Sequence, residues 1–271
     1  MNKKLNIIES SWNERAEALK KSHPLKTLKT LPKMEGITPD TAQNLKAKGL
    51  FYLIKHDKNK IFLRHFFKHP LRYAGALIQS YLKPSSFERK DDLFFYGLPS
   101  EEKFKETASS QNPLIIIGFS YCHKPFECPS GRFSDKCQNS LGHPVCSQCF
   151  IGKCTSLASY TEAQILYIPT IHYIGEKIFE ATHKNPKKQV LFLITACELS
   201  LSMFGDWGNM IGARGIGIRL DGRICNTMRA FKLSEEGIKP GLTVVLKSSE
   251  EKMIDLIKSL PLRQDVSCEK V

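Results

Sequence analysis

Four apolar runs of strand length lie in the second half of the chain. They are PLIIIGFSYC (113–122), AQILYIPT (163–170), QVLFLITAC (189–197) and LTVVLKSS (242–249). They are short, unbroken and β-branched, the pattern of strands buried on both faces in a parallel sheet. Between the second and third, HYIGEKIFEATHKN (172–185) sets Ile174, Ile178 and Ala181 at helical spacing. That β–α–β alternation predicts an α/β domain, with a mostly parallel sheet and flanking helices. SEEKMIDLIKSL (249–260) predicts a closing helix, with Ser249 and the glutamates near its start. In GIGIRLDGRICNT (215–227), Asp221-Gly222 is a tight-turn signal that predicts a hairpin instead of one strand. The glycine-rich GDWGNMIGARGIG (205–217) reads as a loop, either flexible or open to a ligand's close approach near Cys197.

The first 110 residues read differently. WNERAEALKK (12–21) is a short amphipathic helix, and the segment at 23–36 is a proline-punctuated connector. A helix is expected to begin near Thr38, with Pro39 at its first position. IFLRHFFKHPLRYAGALIQSYLK (61–83) predicts helix broken or kinked at Pro70. Its large apolar residues interleave with Arg64, Lys68, Arg72 and Lys83, which suits either a core-facing helix with a basic outer face or an interfacial one. Two polar stretches, 83–92 and 98–113, read as loops leading to a boundary near residue 110. The division expected is a basic, mainly helical N-terminal region (1–110) and a cysteine-rich α/β metal-binding domain (111–271).

Charge sharpens the picture of the first region. Of a net +13, residues 1–110 carry +9. A basic region meets nucleic acid or an anionic membrane surface, or is a solvated face. The two N-terminal lysines are followed by Glu9 before any apolar stretch long enough for a signal peptide, and no run is long enough for a membrane span. The expectation is a cytoplasmic protein with reduced thiols, peripheral to the membrane if the basic helices bind there. The motifs G-x-S-x-G, P-loop and H-E-x-x-H are absent, which lowers hydrolase, NTPase and zincin chemistry.

Nine cysteines carry the candidate chemistry. An odd count in a chain of this length and compartment argues against a disulfide framework. Thiolates bind zinc or iron–sulfur clusters. Cys146 and Cys149 form a C-x2-C knuckle, whose spacing brings two sulfurs to one metal. Cys122 and Cys128 form a wider pair followed by Pro129, with His123 and His143 nearby. Cys137 and Cys154 lie on the same segment. Cys122 ends the first strand and Cys197 the third, and open α/β sheets bind ligands at the carboxyl ends of strands. Cys225 follows RLDGRI toward the same edge. The candidate metal ligands are thus Cys122, Cys128, Cys137, Cys146, Cys149, Cys154, Cys197 and Cys225, gathered at one sheet edge. Cys268, in the polar tail, has no expected role. A single clean knuckle is unlike a zinc ribbon, and more than four cysteines suit a cluster or two metal sites. Both metals stay open on this ground. Glu198 is an acid/base candidate or a helix-start carboxylate. His65, His172 and His183 have no partner pattern.

An ordered set of segments resembles a known family. YCHKPFECP (121–129), GHPVCSQCFIGKC (142–154), ILYIPT (165–170), LFLITACELSLSMFG (191–205) and GIGIRLDGRICNT (215–227) are similar to pieces of the cysteine-rich family catalogued as domain of unknown function 116. The resemblance covers residues 114–230. It departs from the family at the knuckle, where His143 precedes Cys146 and Cys154 follows Cys149 at wider spacing. It implies a metal-binding, iron–sulfur α/β domain and supplies no reaction. The expected role is redox chemistry, electron transfer to a partner protein, or maturation of a partner. The alternative is a zinc-stabilised module whose basic region contacts nucleic acid or an anionic membrane.

Overall fold

The computed structural model describes residues 36–263, except 58, 83–86, 111–112, 141, 223, 240 and 242. The helix expected at 12–21, nearly all of the 23–36 connector, and Cys268 lie outside the described residues.

A seven-stranded mixed sheet organises the chain. Its strands are β1 (Glu88–Lys90), β2 (Leu93–Tyr96), β3 (Leu114–Ser120), β4 (Gln164–Ile168), β5 (Val190–Ala196), β6 (Arg214–Gly222) and β7 (Thr243–Val245). The order is β1-β2-β6-β5-β3-β4, with β7 also on β6. Strands β4, β3, β5 and β6 run parallel, while β1, β2 and β7 add antiparallel pairs. The apolar runs form strands because neighbouring residues face opposite sides and both sides are covered. Ile115, Ile117 and Phe119 enter one core, and Ile116 enters the other.

Helices make the outer layers. On one face lie α1 (Pro39–Ala42), α2 (Leu45–His56), α3 (Ile61–Lys68), α4 (Pro70–Leu82), α8 (Ile171–Lys184), α9 (Glu198–Met210) and α10 (Met228–Glu235). On the other lie α5 (Glu101–Ser110), α7 (Phe150–Ala158) and α11 (Lys247–Lys258), with the short α6 (Pro144–Gln148) leading into α7.

Several expectations meet the structure closely. Pro39 opens α1, and Pro70 separates α3 from α4. The helix from Thr38 is interrupted at Asn44, whose φ of 55° is left-handed.

Others are corrected. The polar stretch 98–113 contains α5, which Ser100 caps by accepting the Lys103 N–H. Phe104 and Ala108 give α5 a narrow apolar stripe, enough to dock it on the sheet. The stretch 83–92 contributes β1, which pairs with β2 around the Asp91–Asp92 turn. Strands on either side of residue 110 therefore share one sheet.

Asp221-Gly222 does not turn the chain. β6 runs through it, because β7 returns beside Leu220–Gly222 and completes its hydrogen bonds. The glycine-rich segment is mostly regular. Gly205 and Gly208 lie in α9, Gly212 (φ 67°) makes the turn, and Gly215 and Gly217 lie in β6. A side chain at Gly215 would stand 2.1 Å from the Phe192 carbonyl oxygen, so the glycine permits β6 to lie against β5.

One buried ion cluster ties the hairpin to the sheet. Arg219, 2% exposed, donates Nε–H to Asp92 at 2.8 Å and Nη2–H to Asp221 at 3.2 Å. Its backbone N–H donates to the Asp92 carbonyl at 2.8 Å.

Candidate metal centre and a second thiol cluster

After β3 the chain makes one 3-10 turn, Tyr121–His123, started by Ser120 accepting the Cys122 N–H at 3.3 Å. The loop that follows wraps two buried cations. Lys124, 1% exposed, donates to the carbonyls of Ser134 and Lys136, both at 2.7 Å. Arg132 lies over the Phe126 ring at 4.3 Å and donates to the carbonyls of Cys122, Lys239 and Gly241. A cation buried among carbonyl oxygens holds a loop that has little apolar content of its own.

That loop brings four thiols to one place. Cys128, Cys137, Cys146 and Cys149 line a cavity of about 20 Å³, with Lys124, Val145, Ile151 and Gly152. The knuckle is built by two successive helix starts. His143 caps α6, its Nδ1 accepting the Val145 N–H at 3.3 Å. Cys149 ends α6 and caps α7. The backbone N–H groups of Gly152 and Ile151 favour the Cys149 thiolate, and that of Ser130 favours the Cys128 thiolate. Gly152 allows this approach, since a side chain there would meet the Cys146 carbonyl oxygen at 2.6 Å. Cys137 lies beside the Tyr167 hydroxyl, which is 3.1 Å from Thr155 Oγ1.

Burial and the backbone N–H groups act on these thiols in opposite directions. Burial pushes Cys128 up, and Cys149 up to about 11, despite the N–H groups that favour their thiolates. A coordinated metal ion inverts that balance and deprotonates the thiol. Among the described residues, no three His, Cys, Asp or Glu side chains already stand in a metal-holding arrangement. The donor chemistry fits a thiophilic metal: four thiols line one cavity, and backbone N–H groups favour the thiolates of two of them.

Cys122, Cys197 and Cys225 form a separate group. They follow β3, β5 and β6 at the carboxyl edge of the sheet. Lys239 Nζ donates to the Cys225 sulfur at 3.2 Å. Burial pulls Lys239 down, but the three surrounding thiols outweigh it and leave its pKa raised. Cys197 precedes α9, its carbonyl accepting the Leu201 N–H at 3.0 Å, and its sulfur lies 3.2 Å from Ser200 Oγ. A hydrogen bond from the Cys197 thiol, with Lys239 behind it, holds Cys225 down at about 5.

Cys154 joins neither group. It is fully buried in α7 with Ile151, Ala158 and Leu256, as a small apolar core residue. The eight described cysteines are all free thiols. The His123 ring packs 5.3 Å from Phe150, and burial lowers it to about 4. Glu198 opens α9 and pairs with Arg89 at 2.8 Å. His65 packs on His183 at 3.8 Å between ring centroids, and His172 lies 3.3 Å from the Leu53 carbonyl.

Lys124, Arg132 and Lys239 are not singled out by the sequence. A buried cation looks like a surface one in composition, and nothing local marks it. The one hint is the position of Lys124, two residues after Cys122 and four before Cys128.

No helix of the described residues is long and apolar enough to cross a membrane. Comparison with known proteins returns no matching family model, curated protein or solved structure.

Proposed function

We propose that this protein is an iron–sulfur protein with a redox role, its cluster held by Cys128, Cys137, Cys146 and Cys149. The supporting observation is the convergence of these four thiols on one cavity, where backbone N–H groups favour the thiolates of Cys149 and Cys128. Such hydrogen bonds set the potential of thiolate-held clusters. When bound, an iron–sulfur cluster supplies one-electron transfer. The chain's own residues do the rest. Burial lowers the Lys124 pKa, but its carbonyl cage sets the ammonium beside the thiols, where it offsets the negative charge of a four-thiolate site. Val145 and Ile151 close the cavity against water. Cys122, Cys197 and Cys225 are left out of this centre, because Lys239 already supplies the cation among them.

The test is anaerobic purification followed by iron, sulfide and visible-absorbance measurement. Iron and sulfide in stoichiometric amounts, lost together on replacing Cys146 and Cys149 by Ser, are expected. Protein that binds neither iron nor zinc would overturn the four-thiol centre.

A second reading, structural zinc, is favoured by size. A cavity of about 20 Å³ has room for one ion before any side chain turns outward. Colourless protein with one zinc per chain would select it over the cluster.

We also propose that α3 and α4 rest on an anionic membrane surface. Phe67 (74% exposed), Leu71 (89%), Ile78 (60%) and Leu82 (79%) lie in water on helices that also carry Arg64, Lys68 and Arg72. Apolar side chains among basic ones suit the headgroup boundary.

A further inference from the structure

Strand order reverses between β3 and β5. β3 pairs in parallel with both β4 and β5. The chain leaves β3 toward α7 on one face and leaves β5 into α9 on the other. Loops that diverge in this way open a crevice at the carboxyl ends of the strands, where open α/β sheets hold ligands. Here a cavity of about 40 Å³ opens beside Cys122, Cys197, Ser200 and Glu235, with Ile168 and Ile194 as apolar walls. At roughly 10–15 Å³ for each water-sized occupant, it admits a molecule of two or three non-hydrogen atoms.

The thiols at this crevice differ from Cys154, which is packed among apolar core side chains. Cys197 borders the cavity at the start of α9, and the Cys225 sulfur beside it, together with burial, raises its pKa and keeps it a protonated thiol. Cys225 lies behind it, 3.2 Å from the Lys239 ammonium and 3.6 Å from the Ala230 carbonyl. Cys122 and Ser234 complete the surroundings. One thiol, one cation-held thiolate and a cavity sized for two oxygen atoms are the parts a peroxide-reducing dithiol requires.

We propose that Cys197 and Cys225 form a peroxide-reactive dithiol whose substrate class is the small hydroperoxides, hydrogen peroxide first. The Cys197 sulfur attacks one peroxide oxygen as its proton passes to the Cys225 thiolate. The O–O bond breaks, hydroxide leaves, and Cys197 becomes a sulfenic acid. The Cys225 sulfur then displaces the sulfenic oxygen, which departs with the thiol proton as water. The two sulfurs are oxidised to a disulfide, and the peroxide is reduced to hydroxide and water. Lys239 holds the Cys225 thiolate that accepts the first proton. The site is independent of the four-thiol centre.

The full chain treated with one equivalent of hydrogen peroxide decides this, by peptide mass spectrometry with and without dithiothreitol. A reducible cross-link between the peptides of Cys197 and Cys225 is expected, with Cys154 untouched. Cys225→Ser should leave a sulfenic acid on Cys197 that dimedone traps. In an assay run at pH 5, Lys239→Met should slow cross-linking up to about tenfold for each unit by which the Cys225 pKa rises above that pH, and Lys239→Arg should largely restore it. Oxidation confined to Cys128, Cys137, Cys146 or Cys149 would overturn the proposal. So would an unchanged rate in folded Lys239→Met. If that variant does not fold, the wild-type cross-link decides alone.

Discussion

The Lys239 ammonium donates to the Cys225 sulfur across 3.2 Å, from the far side of α10. The contact joins the segment before α10 to the segment after it, and both are buried. Cys225 is held at about 5, first by the Cys197 thiol and then by Lys239. A thiol depressed in the fold contributes stability that is fully present above its unfolded value, about 8.5, and is lost as pH falls through about 5. Lys239→Met removes the part of that contribution that the ammonium supplies. Its melting temperature should fall at pH 8 and approach wild type near pH 4, read by circular dichroism.

Glu235 predicts the opposite slope. Its carboxylate accepts the Ile171 N–H at 2.9 Å at the start of α8, and the Tyr52 hydroxyl donates to it. Burial raises it to about 8. A carboxyl raised in the fold gives stability that is complete below its unfolded value and is lost as pH rises through about 8. The slope is about 1.4 kcal/mol per pH unit at most. Glu235→Gln keeps an acceptor for Ile171 and cannot ionise. Wild type should lose several degrees between pH 5 and 8, and the variant should lose much less. Parallel melting curves would reject the assignment.

Arg219 tests the buried ion cluster. Removing it leaves Asp92 and Asp221 buried without a cation. Breaking such a cluster costs about 3–5 kcal/mol. Arg219→Met should lower the unfolding free energy read from a denaturant titration by an amount of that order. Asp92→Asn with Asp221→Asn in the Met background should recover part of it, because no unpaired charge then remains.

The parallel strands β3, β4 and β5 were legible because both faces are apolar, so periodicity needs no context. β1 and β2 were not. Glu88–Lys90 is exposed and polar, and its strand state comes from pairing with Leu93–Phe95. The Asp221-Gly222 signal was outweighed by β7, which arrives about 20 residues later to pair with β6. The thiols were expected at one edge because Cys122, Cys197 and Cys225 follow strands, and they do lie there. The 3-10 turn at Tyr121–His123 and the cage around Lys124 instead lead Cys128 and Cys137 to the knuckle. Those tertiary contacts have no signature in spacing.

The membrane reading turns on which phenylalanine is exposed. Phe66 packs against the core, whereas Phe67 is 74% exposed. A Phe66→Asp change would therefore damage the fold. Phe67→Asp with Leu71→Asp should leave melting unchanged and abolish co-sedimentation with phosphatidylserine vesicles. Wild-type protein that stays in the supernatant at low salt would dismiss this surface.

Gly152 is the sharpest probe of the four-thiol centre, because it touches no ligand through a side chain. A methyl group there would stand 2.6 Å from the Cys146 carbonyl oxygen and 3.4 Å from Asn139 Oδ1. The carbonyl is backbone and cannot swing away, so α7 must move off the knuckle. That movement withdraws the Ile151 and Gly152 N–H groups from the Cys149 sulfur. Partners of this kind typically change metal affinity about 10–100-fold. Gly152→Ala should bind iron or zinc weaker by about that factor in a chelator competition, with all four cysteines in place. A second glycine calibrates the result. A methyl group at Gly75 would meet nothing within 4 Å, so Gly75→Ala should leave metal affinity unchanged. Equal affinities in Gly152→Ala and wild type would remove the N–H groups from any part in holding the metal.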